Sequence, residues 1–506
     1  MFRIFGPPGT GKTTALLNMV DDALQSGIAP MNIAFLAFTR KAANEAKERA
    51  AARFNLDPKK DLFYFRTLHS LALTCSDIVP EQVMQDEHYK ELSQEMGYEI
   101  QMKRAANYDD DLPDLLKASD PILGLINLAR MRKMGLREQY DDSGIDAEWN
   151  TVDYVNRSLL KYKENMQLFD FTDMLANFVK EGHTVCPYFD LCFVDEAQDL
   201  SLLQWDIAHL LDKRSDRMYC AGDDDQAIYR WAGADVESFI NLEGGSETLS
   251  QSYRVPQRVH KVAERIIDRV DRRFVKDYFP KKDSVGHYEH IYDIDQLDMS
   301  EGSWLIMAHA GYLLAEIDTT LRSSGYLFEF RGHRSIPEKT SIAVNGWEQL
   351  RKGQEVNGAV AKKIYSFMSS KERVARGFKT LSGLEDTDFV TLDKLQNQYG
   401  LLASIDMVWH VAMDRLPEQS RAYIIALLRR GEKFNGDPRI IVSTIHQAKG
   451  GEADNVVLIP DLSVAAEKEL ETAPDDIHRL FYVAVTRTKN NLYIVEPENM
   501  ARSYDI

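Results

Sequence analysis

The chain reads as an α/β protein with two parallel sheets, each interrupted by a long helical stretch. Three observations predict this. A mostly apolar run, Phe2 to Phe5, leads straight into a glycine-rich turn and then an amphipathic helical pattern. Short apolar runs alternate with helical patterns over residues 32–72, and strand-like runs return at 189–194 and 217–221. A second alternation begins at 304–330 and resumes over 439–495.

The glycine-rich turn is Gly6-Pro7-Pro8-Gly9-Thr10-Gly11-Lys12-Thr13-Thr14. Placed between a strand and a helix, it fits the phosphate-binding loop G-x-x-x-x-G-K-[ST]. Its backbone N–H groups can curl around a β-phosphate at the helix N-terminus, where the helix dipole favours negative charge. Lys12 then reaches the β- and γ-phosphates, and the Thr13 hydroxyl can hold Mg²⁺. Residues 32–38 (NIAFLAF) predict a strand buried on both faces, 40–53 an alanine-rich helix, and 62–65 a third strand. From 75 to 165 the pattern turns helical and acidic, with Asp109-Asp110-Asp111 and a helix expected over 122–134. The second α/β unit has its own helical and basic interruption, over 332–436.

The strand returning at 189–194 runs into Asp195-Glu196-Ala197-Gln198-Asp199. After a phosphate loop, such an acidic strand end supplies Asp195 for Mg²⁺ and Glu196 to orient and deprotonate the attacking water. The next strand runs into Asp223-Asp224-Asp225-Gln226, followed by Tyr229 and Trp231. Gln226 suits sensing of a γ-phosphate, and the two aromatics offer flat faces for stacking bases.

Composition sets limits. At 506 residues, two to four domains are expected. Hydrophobic residues make up 44% and charged ones 28%, ordinary for a soluble globular chain. No run approaches the roughly 18 apolar residues of a membrane helix. The first strand starts at once, which leaves no room for a leader peptide. Cys75, Cys186, Cys192 and Cys220 show no metal-ligand spacing, as expected of reduced thiols in the cytoplasm. A net charge of −18 argues against a protein coated with polyanion. It leaves room for a motor that grips nucleic acid through a local positive groove and stacking.

These stretches, taken together, resemble the UvrD/Rep branch of superfamily 1 DNA helicases. GPPGTGKTT resembles motif I of that family, AFTRKAANEAKERA (37–50) motif Ia, and TLHSLA (67–72) the next DNA-contact motif. VDEAQD (194–199) resembles motif II, GDDDQAIYRWAGA (222–234) motif III and LSQSYR (249–254) motif IV. STIHQAKGGEADNVVL (443–458) resembles motif V and RLFYVAVTRTKNNL (479–492) motif VI, so the motifs run in family order from residue 6 to 492.

The resemblance implies two RecA-like P-loop motor domains: 1–74 with 166–248, and 249–331 with 437–506. Helical insertions fall at 75–165 and 332–436, with ATP and Mg²⁺ in the cleft between the motors. It implies that Gly9, Thr10, Gly11, Lys12, Thr13 and Thr14 hold the phosphates and that Tyr253 stacks on the adenine. Glu452 would contact the ribose, and Thr13 and Asp195 the metal. Lys12, Asp195, Glu196, Gln226, Arg254 and Arg487 form the expected catalytic set, with Arg254 and Arg487 reaching the γ-phosphate from the second motor. Phe38, Thr39, His69, Tyr229, Trp231, Thr444 and His446 lie in motifs that line the single-strand path. The implied activity is ATP-driven 3′ to 5′ movement along single-stranded DNA with duplex unwinding.

A single-strand translocase or a DNA-binding regulatory ATPase subunit is the alternative. Single-stranded DNA, single/double-strand junctions and other replication or repair proteins are the expected partners. The expected setting is a monomeric, membrane-free motor in the cytoplasm of a bacterial or phage-infected cell. Three departures stand out: five residues before Gly6, with no adenine-reading glutamine among them; Ala232 where an arginine is common; and KGGEAD in motif V. The second insertion is also short for the family, and only fourteen residues follow Leu492, which leaves no room for a nuclease domain.

Overall fold

The structure, a computed structural model, describes residues 1–101, 120–433 and 436–506. The acidic run Asp109–Asp111 lies outside them. The first sheet has six strands: β1 (Phe2–Phe5), β2 (Ile33–Ala37), β3 (Phe65–Thr67), β4 (Phe189–Asp195), β5 (Ser215–Gly222) and β6 (Ser246–Thr248). Their order across the sheet is β3-β2-β4-β5-β1-β6, and every pair is parallel. A parallel sheet needs crossovers on its faces, and both faces here are covered. On one face Leu16, Leu17, Val20 and Ala23 of helix Lys12–Gln25 and Ala46 and Ala50 of helix Arg40–Phe54 meet Ile33, Phe35 and Phe193. On the other face Ala34, Leu36, Cys192 and Val194 meet Leu71, Leu175 and Phe178. This explains why β2 is buried at every position.

The second sheet contains β7 (His287–Ile291), β8 (Trp304–Ala308), β9 (Phe328–Phe330) and the short antiparallel edge β10 (His333–Arg334). After a two-stranded ribbon of β11 (Val356–Asn357) and β12 (Phe389–Val390) come β13 (Ile440–Thr444), β14 (Ala453–Ile459) and β15 (Thr488–Val495). The order is β10-β9-β13-β8-β14-β15-β7. The result is an α/β fold with two RecA-like parallel sheets. One continuous core joins them, running from Phe5 and Phe239 through Val259 and Ile266 to Leu480, Phe481 and Val456.

Helices Asp86–Met96, Pro121–Met131 and Trp149–Met166 share a separate core around Leu92, Ile126, Val152 and Leu159. The second helical stretch packs Trp347, Tyr365, Leu395 and Leu427 onto the outer face of the second sheet. Among the described residues, no helix is long and apolar enough to cross a membrane. All four cysteines are free thiols, and burial pushes those of Cys186 and Cys220 up to about 12.

Several boundaries differ from the sequence expectation. The third strand starts at Phe65 rather than 62, because residues 57–62 close a turn in which Asp61 N–H donates to the Asp57 carbonyl. The helix expected over 122–134 ends at Met131, where Lys133 takes a left-handed φ of 53°. The helix that follows β8 begins as a 3₁₀ turn, Gly311–Leu314, and becomes α-helical at Ala315. The edge strands β6 and β7 carry polar, alternating sequences with no apolar run to announce them.

Candidate nucleotide site and nucleic-acid path

In a parallel sheet the carboxyl ends of all strands emerge on one edge, and here that edge gathers the motifs. β1 delivers Gly6–Thr14, β4 delivers Asp195–Glu196, β5 delivers Asp223–Gln226 and β2 delivers Phe38–Thr39. Gly9 and Gly11 both take positive φ, 72° and 76°, and Gly11 forms the N-cap of helix Lys12–Gln25. A Cβ on Gly9 would lie 2.4 Å from Arg254 Cβ, so only glycine lets motif IV approach this closely. The two loops are joined through the backbone: Tyr253 N–H donates to the Gly9 carbonyl at 2.8 Å, and Ser252 Oγ donates to the Pro8 carbonyl at 2.8 Å.

Lys12 Nζ is 2.6 Å from Glu196 Oε1 and 3.2 Å from Asp195 Oδ1. Burial works against its ammonium, but the two carboxylates outweigh burial and raise its pKa. Burial lifts Asp195 above its ordinary value even with Lys12 beside it. Burial also works against the Glu196 carboxylate, whose side chain is 32% exposed, yet Lys12 and then Lys449 hold it well below the usual carboxylate range. Glu196 also has left-handed backbone, φ 56° and ψ 39°, rare for a residue with a side chain and costing about 1–3 kcal/mol. Gln198 fixes its far oxygen, donating from Nε2 at 2.6 Å, while Gln198 Oε1 accepts from Asp223 N–H at 3.0 Å. Gly222 makes room for that amide, since a Cβ there would meet Gln198 Oε1 at 2.4 Å.

The second sheet contributes the opposite wall. Arg487, 2% exposed, donates from Nη2 to Gln226 Oε1 at 2.7 Å and from Nε to the Val483 carbonyl at 3.0 Å. Burial and then the neighbouring Arg254 pull its guanidinium down to about 9, so it stays charged at neutral pH. Arg254 Nε donates to Glu452 Oε2 at 2.6 Å, and Lys489 Nζ is 2.8 Å from Glu452 Oε1. Glu452, expected at a ribose, is thus in this structure the shared counter-ion of Arg254 and Lys489. Tyr253 is 69% exposed, and a Cβ on Gly11 would come 3.9 Å from its ring. Gly6–Thr14, Asp195, Glu196, Gln226, Tyr253, Arg254, Glu452 and Arg487 all line one open cleft of about 680 Å³.

Lys449 and Asp199 are among the lining residues that had no assigned role in the sequence reading. Lys449 Nζ donates to Asp199 Oδ2 at 2.5 Å and to the Gln226 carbonyl at 2.8 Å, and lies 4.8 Å from the centre of the Tyr229 ring. Asp199, two positions past the start of Ala197–Asp199, receives it. Both sit inside matched motifs, which was the available signal.

The residues expected on the single-strand path divide. Tyr229, 5% exposed, stacks on Phe38 at 5.8 Å, and its hydroxyl donates to the His446 carbonyl. Phe38 and Tyr229 also border the nucleotide cleft. Trp231 is 45% exposed, with the His446 ring edge-on at 6.0 Å. Burial, with His309 and Lys449 nearby, drives the His446 imidazole down to about 3, so it is neutral. Thr39 caps helix Arg40–Phe54 by accepting from Ala42 N–H, and Thr444 Oγ1 pairs with Gln447. The His69 ring is edge-on to Phe171 at 6.5 Å.

The donor set fits a magnesium nucleotide: the cleft is lined by a glycine cradle, by cations that include Lys12, Arg254 and Arg487, and by the Asp195 carboxylate and the Thr13 hydroxyl. Among the described residues, no group of three or more His, Cys, Asp or Glu side chains is arranged to hold a metal ion.

Residues 2–245 match the UvrD/REP helicase N-terminal domain, and residues 439–495 match the UvrD-like helicase C-terminal domain. The chain is similar to an ATP-dependent DNA helicase PcrA of Leuconostoc citreum, 28% identical over 303 residues, covering 56% of this chain and 40% of that protein. It is similar along nearly its whole length to a probable DNA helicase II homolog of Rickettsia felis, 24% identical, covering 98% of this chain and 90% of the relative. A putative ATP-dependent DNA helicase YjcD of Bacillus subtilis is 22% identical, covering 97% and 76%. With both family domains matched in chain order and their motifs gathered around one cleft, the chain belongs to the UvrD-like helicases of superfamily 1.

Proposed function

We propose that the chain is a DNA-dependent ATPase that moves along single-stranded DNA, 3′ to 5′, and unwinds duplex DNA. One observation carries the reading: Lys12 and Glu196 of the first sheet and Arg254 and Arg487 of the second line the same cleft. A site split across two units converts nucleotide occupancy into relative motion of those units, which a one-unit P-loop enzyme cannot do. The relatives named as ATP-dependent DNA helicases support it. The two motors are 1–74 with 166–248 and 249–331 with 437–506, and the protein acts as a monomer in the cytoplasm.

Magnesium ATP would bring the phosphoanhydride and a bridging cation held by Thr13 and Asp195. The chain's own residues do the rest. Lys12 leaves Glu196 for the β- and γ-phosphates, which removes the ion pair that holds this carboxylate's pKa down and frees it to take a proton from water. Gln226 and Arg487, already joined at 2.7 Å, approach the γ-phosphate together. Closure moves Trp231 and His446, which flank the path, against the strand.

ATP hydrolysis measured with and without single-stranded DNA, then strand displacement on tailed duplexes, tests the proposal. Stimulation by DNA together with displacement is expected. Stimulation without displacement would reduce the reading to a translocase or a regulatory subunit, and absence of stimulation would overturn it. Glu196→Gln should bind nucleotide with near-normal affinity yet turn over about 100-fold more slowly, because the amide accepts no proton. If nucleotide affinity fell in parallel, Glu196 would be a ligand rather than the base.

Trp231→Ala should weaken single-strand binding by about 1–3 kcal/mol, roughly 5- to 150-fold, and leave basal hydrolysis within twofold. Equilibrium titration of a labelled oligonucleotide checks this, and unchanged affinity would remove Trp231 from the path.

A further inference from the structure

Three consecutive buried carboxylates precede Gln226, and their charge is met from a distant part of the chain. The Lys276 side chain, 1% exposed, places Nζ 3.0 Å from Asp223 Oδ1, 2.7 Å from Asp224 Oδ1 and 2.7 Å from Asp225 Oδ2. Arg273 forms a two-pronged pair with Asp225 at 2.8 and 2.7 Å, and Phe274 N–H donates to Asp224 Oδ2 at 2.7 Å. The Phe274 ring stacks on Phe5, the residue before the phosphate loop, at 4.2 Å and 7°. Arg479, from helix Pro474–Val485, donates to the Asp224 carbonyl at 2.9 Å.

The cluster connects directly to the sensing pair. Asp223 Oδ2 accepts from Gln226 Nε2 at 2.7 Å, and Gln226 Oε1 accepts from Arg487. An amide rotated by half a turn would offer Arg487 an N–H instead of an oxygen, and the contact would become repulsive. The Asp223 carboxylate prevents that rotation, because it can accept from Nε2 but repels Oε1. Asp223 can do so only while it stays charged and in place, and Lys276 is the nearest cation to it. Burial pushes Asp223 up to about 6 even with Lys276 present.

We propose that Lys276 is a positioning residue for hydrolysis: through Asp223 it fixes the Gln226 amide in the orientation that receives Arg487. The segment Arg273–Lys276 is then a strap that aligns the γ-phosphate sensor of the first sheet with the arginine of the second. It never touches the nucleotide cleft itself, whose lining does not include Lys276. The proposal rests on the ATPase reading above.

The test uses the full chain and a double-mutant cycle with Gln226→Ala. Lys276→Met alone strands three carboxylates, so it is paired with Asp224→Asn to restore the charge count. The K276M/D224N protein should show kcat for DNA-stimulated hydrolysis reduced at least about tenfold, with affinity for a fluorescent ATP analogue within threefold. Adding Gln226→Ala to it should cost less than threefold more, because the amide is already misaligned. A kcat per folded molecule within threefold of the unmutated protein, or a full multiplicative loss on adding Gln226→Ala, would overturn the inference. If the double variant does not fold, K276R takes its place, keeping the charge while displacing the donors, with the same two criteria. Lack of any hydrolysis by the unmutated protein would instead count against the ATPase reading.

Discussion

Lys12→Ala should hydrolyse ATP slower by on the order of 10³-fold, the loss expected when a preorganised donor to developing phosphate charge is removed. The same change should also lower stability by about 2 kcal/mol, which a simple loop ligand would not do. The cause is the pair of carboxylates beneath it. With Nζ gone, Asp195 and Glu196 lie side by side with Lys449 and Arg487 as remaining nearby cations. Each would then have a folded-state pKa raised above its unfolded value. A raised carboxylate pKa penalises the fold above that pKa and ceases to do so below it. The stability deficit of the variant should therefore shrink as pH falls from 7 toward about 5, whereas the rate deficit should persist. Thermal melts across that range and turnover at neutral pH check both halves. Turnover within tenfold of the unmutated protein would take Lys12 out of the phosphate site.

The double role of Lys12 marks what the sequence could and could not tell. The α/β architecture was legible because buried parallel strands such as 33–37 and 304–308 are continuous apolar runs, and the helices between them keep a regular apolar stripe. β6 and β7 were not, because each is a sheet edge with polar residues at most positions. Cleft residues tied to a motif, such as Glu196 and Arg487, were readable one by one. Their pairings were not, because Lys12 with Glu196, Arg254 with Glu452 and Lys449 with Asp199 each join positions far apart in the chain. Tyr229 shows the reverse difficulty. Its spacing from Trp231 suggested two exposed stacking faces, but a two-residue separation across the 3₁₀ turn Arg230–Ala232 sends one ring inward and the other out. Lys276 carried no signal at all, since a lone lysine in a basic stretch reads as solvated until the fold places three carboxylates around it.

Arg487→Ala should slow single-turnover hydrolysis by about 10³-fold at saturating single-stranded DNA, the low side of what an arginine finger contributes. Nucleotide binding should suffer less than tenfold, because Lys12, Thr13 and the glycine cradle are all on the other sheet. Strand displacement should vanish with it, since the Arg487–Gln226 contact is the link at 2.7 Å between the second sheet and the sensor of the first. A surface arginine would give another pattern: a few tenths of a kcal/mol in stability and no change in rate. Burial already excludes that reading, and it adds a prediction of its own. Removing the guanidinium leaves Gln226 Oε1 without that donor, while the Val483 carbonyl keeps the Thr486 hydroxyl, and this should cost about 1–3 kcal/mol of stability. Rates must therefore be compared per folded molecule. Arg487→Lys separates charge from geometry. An ammonium keeps the positive charge but cannot hold Val483 and Gln226 at once while presenting a further N–H, so at most a tenfold recovery is expected. A rate for Arg487→Ala within threefold of the unmutated protein would remove the cis arginine, and with it the coupling between the two halves of the cleft.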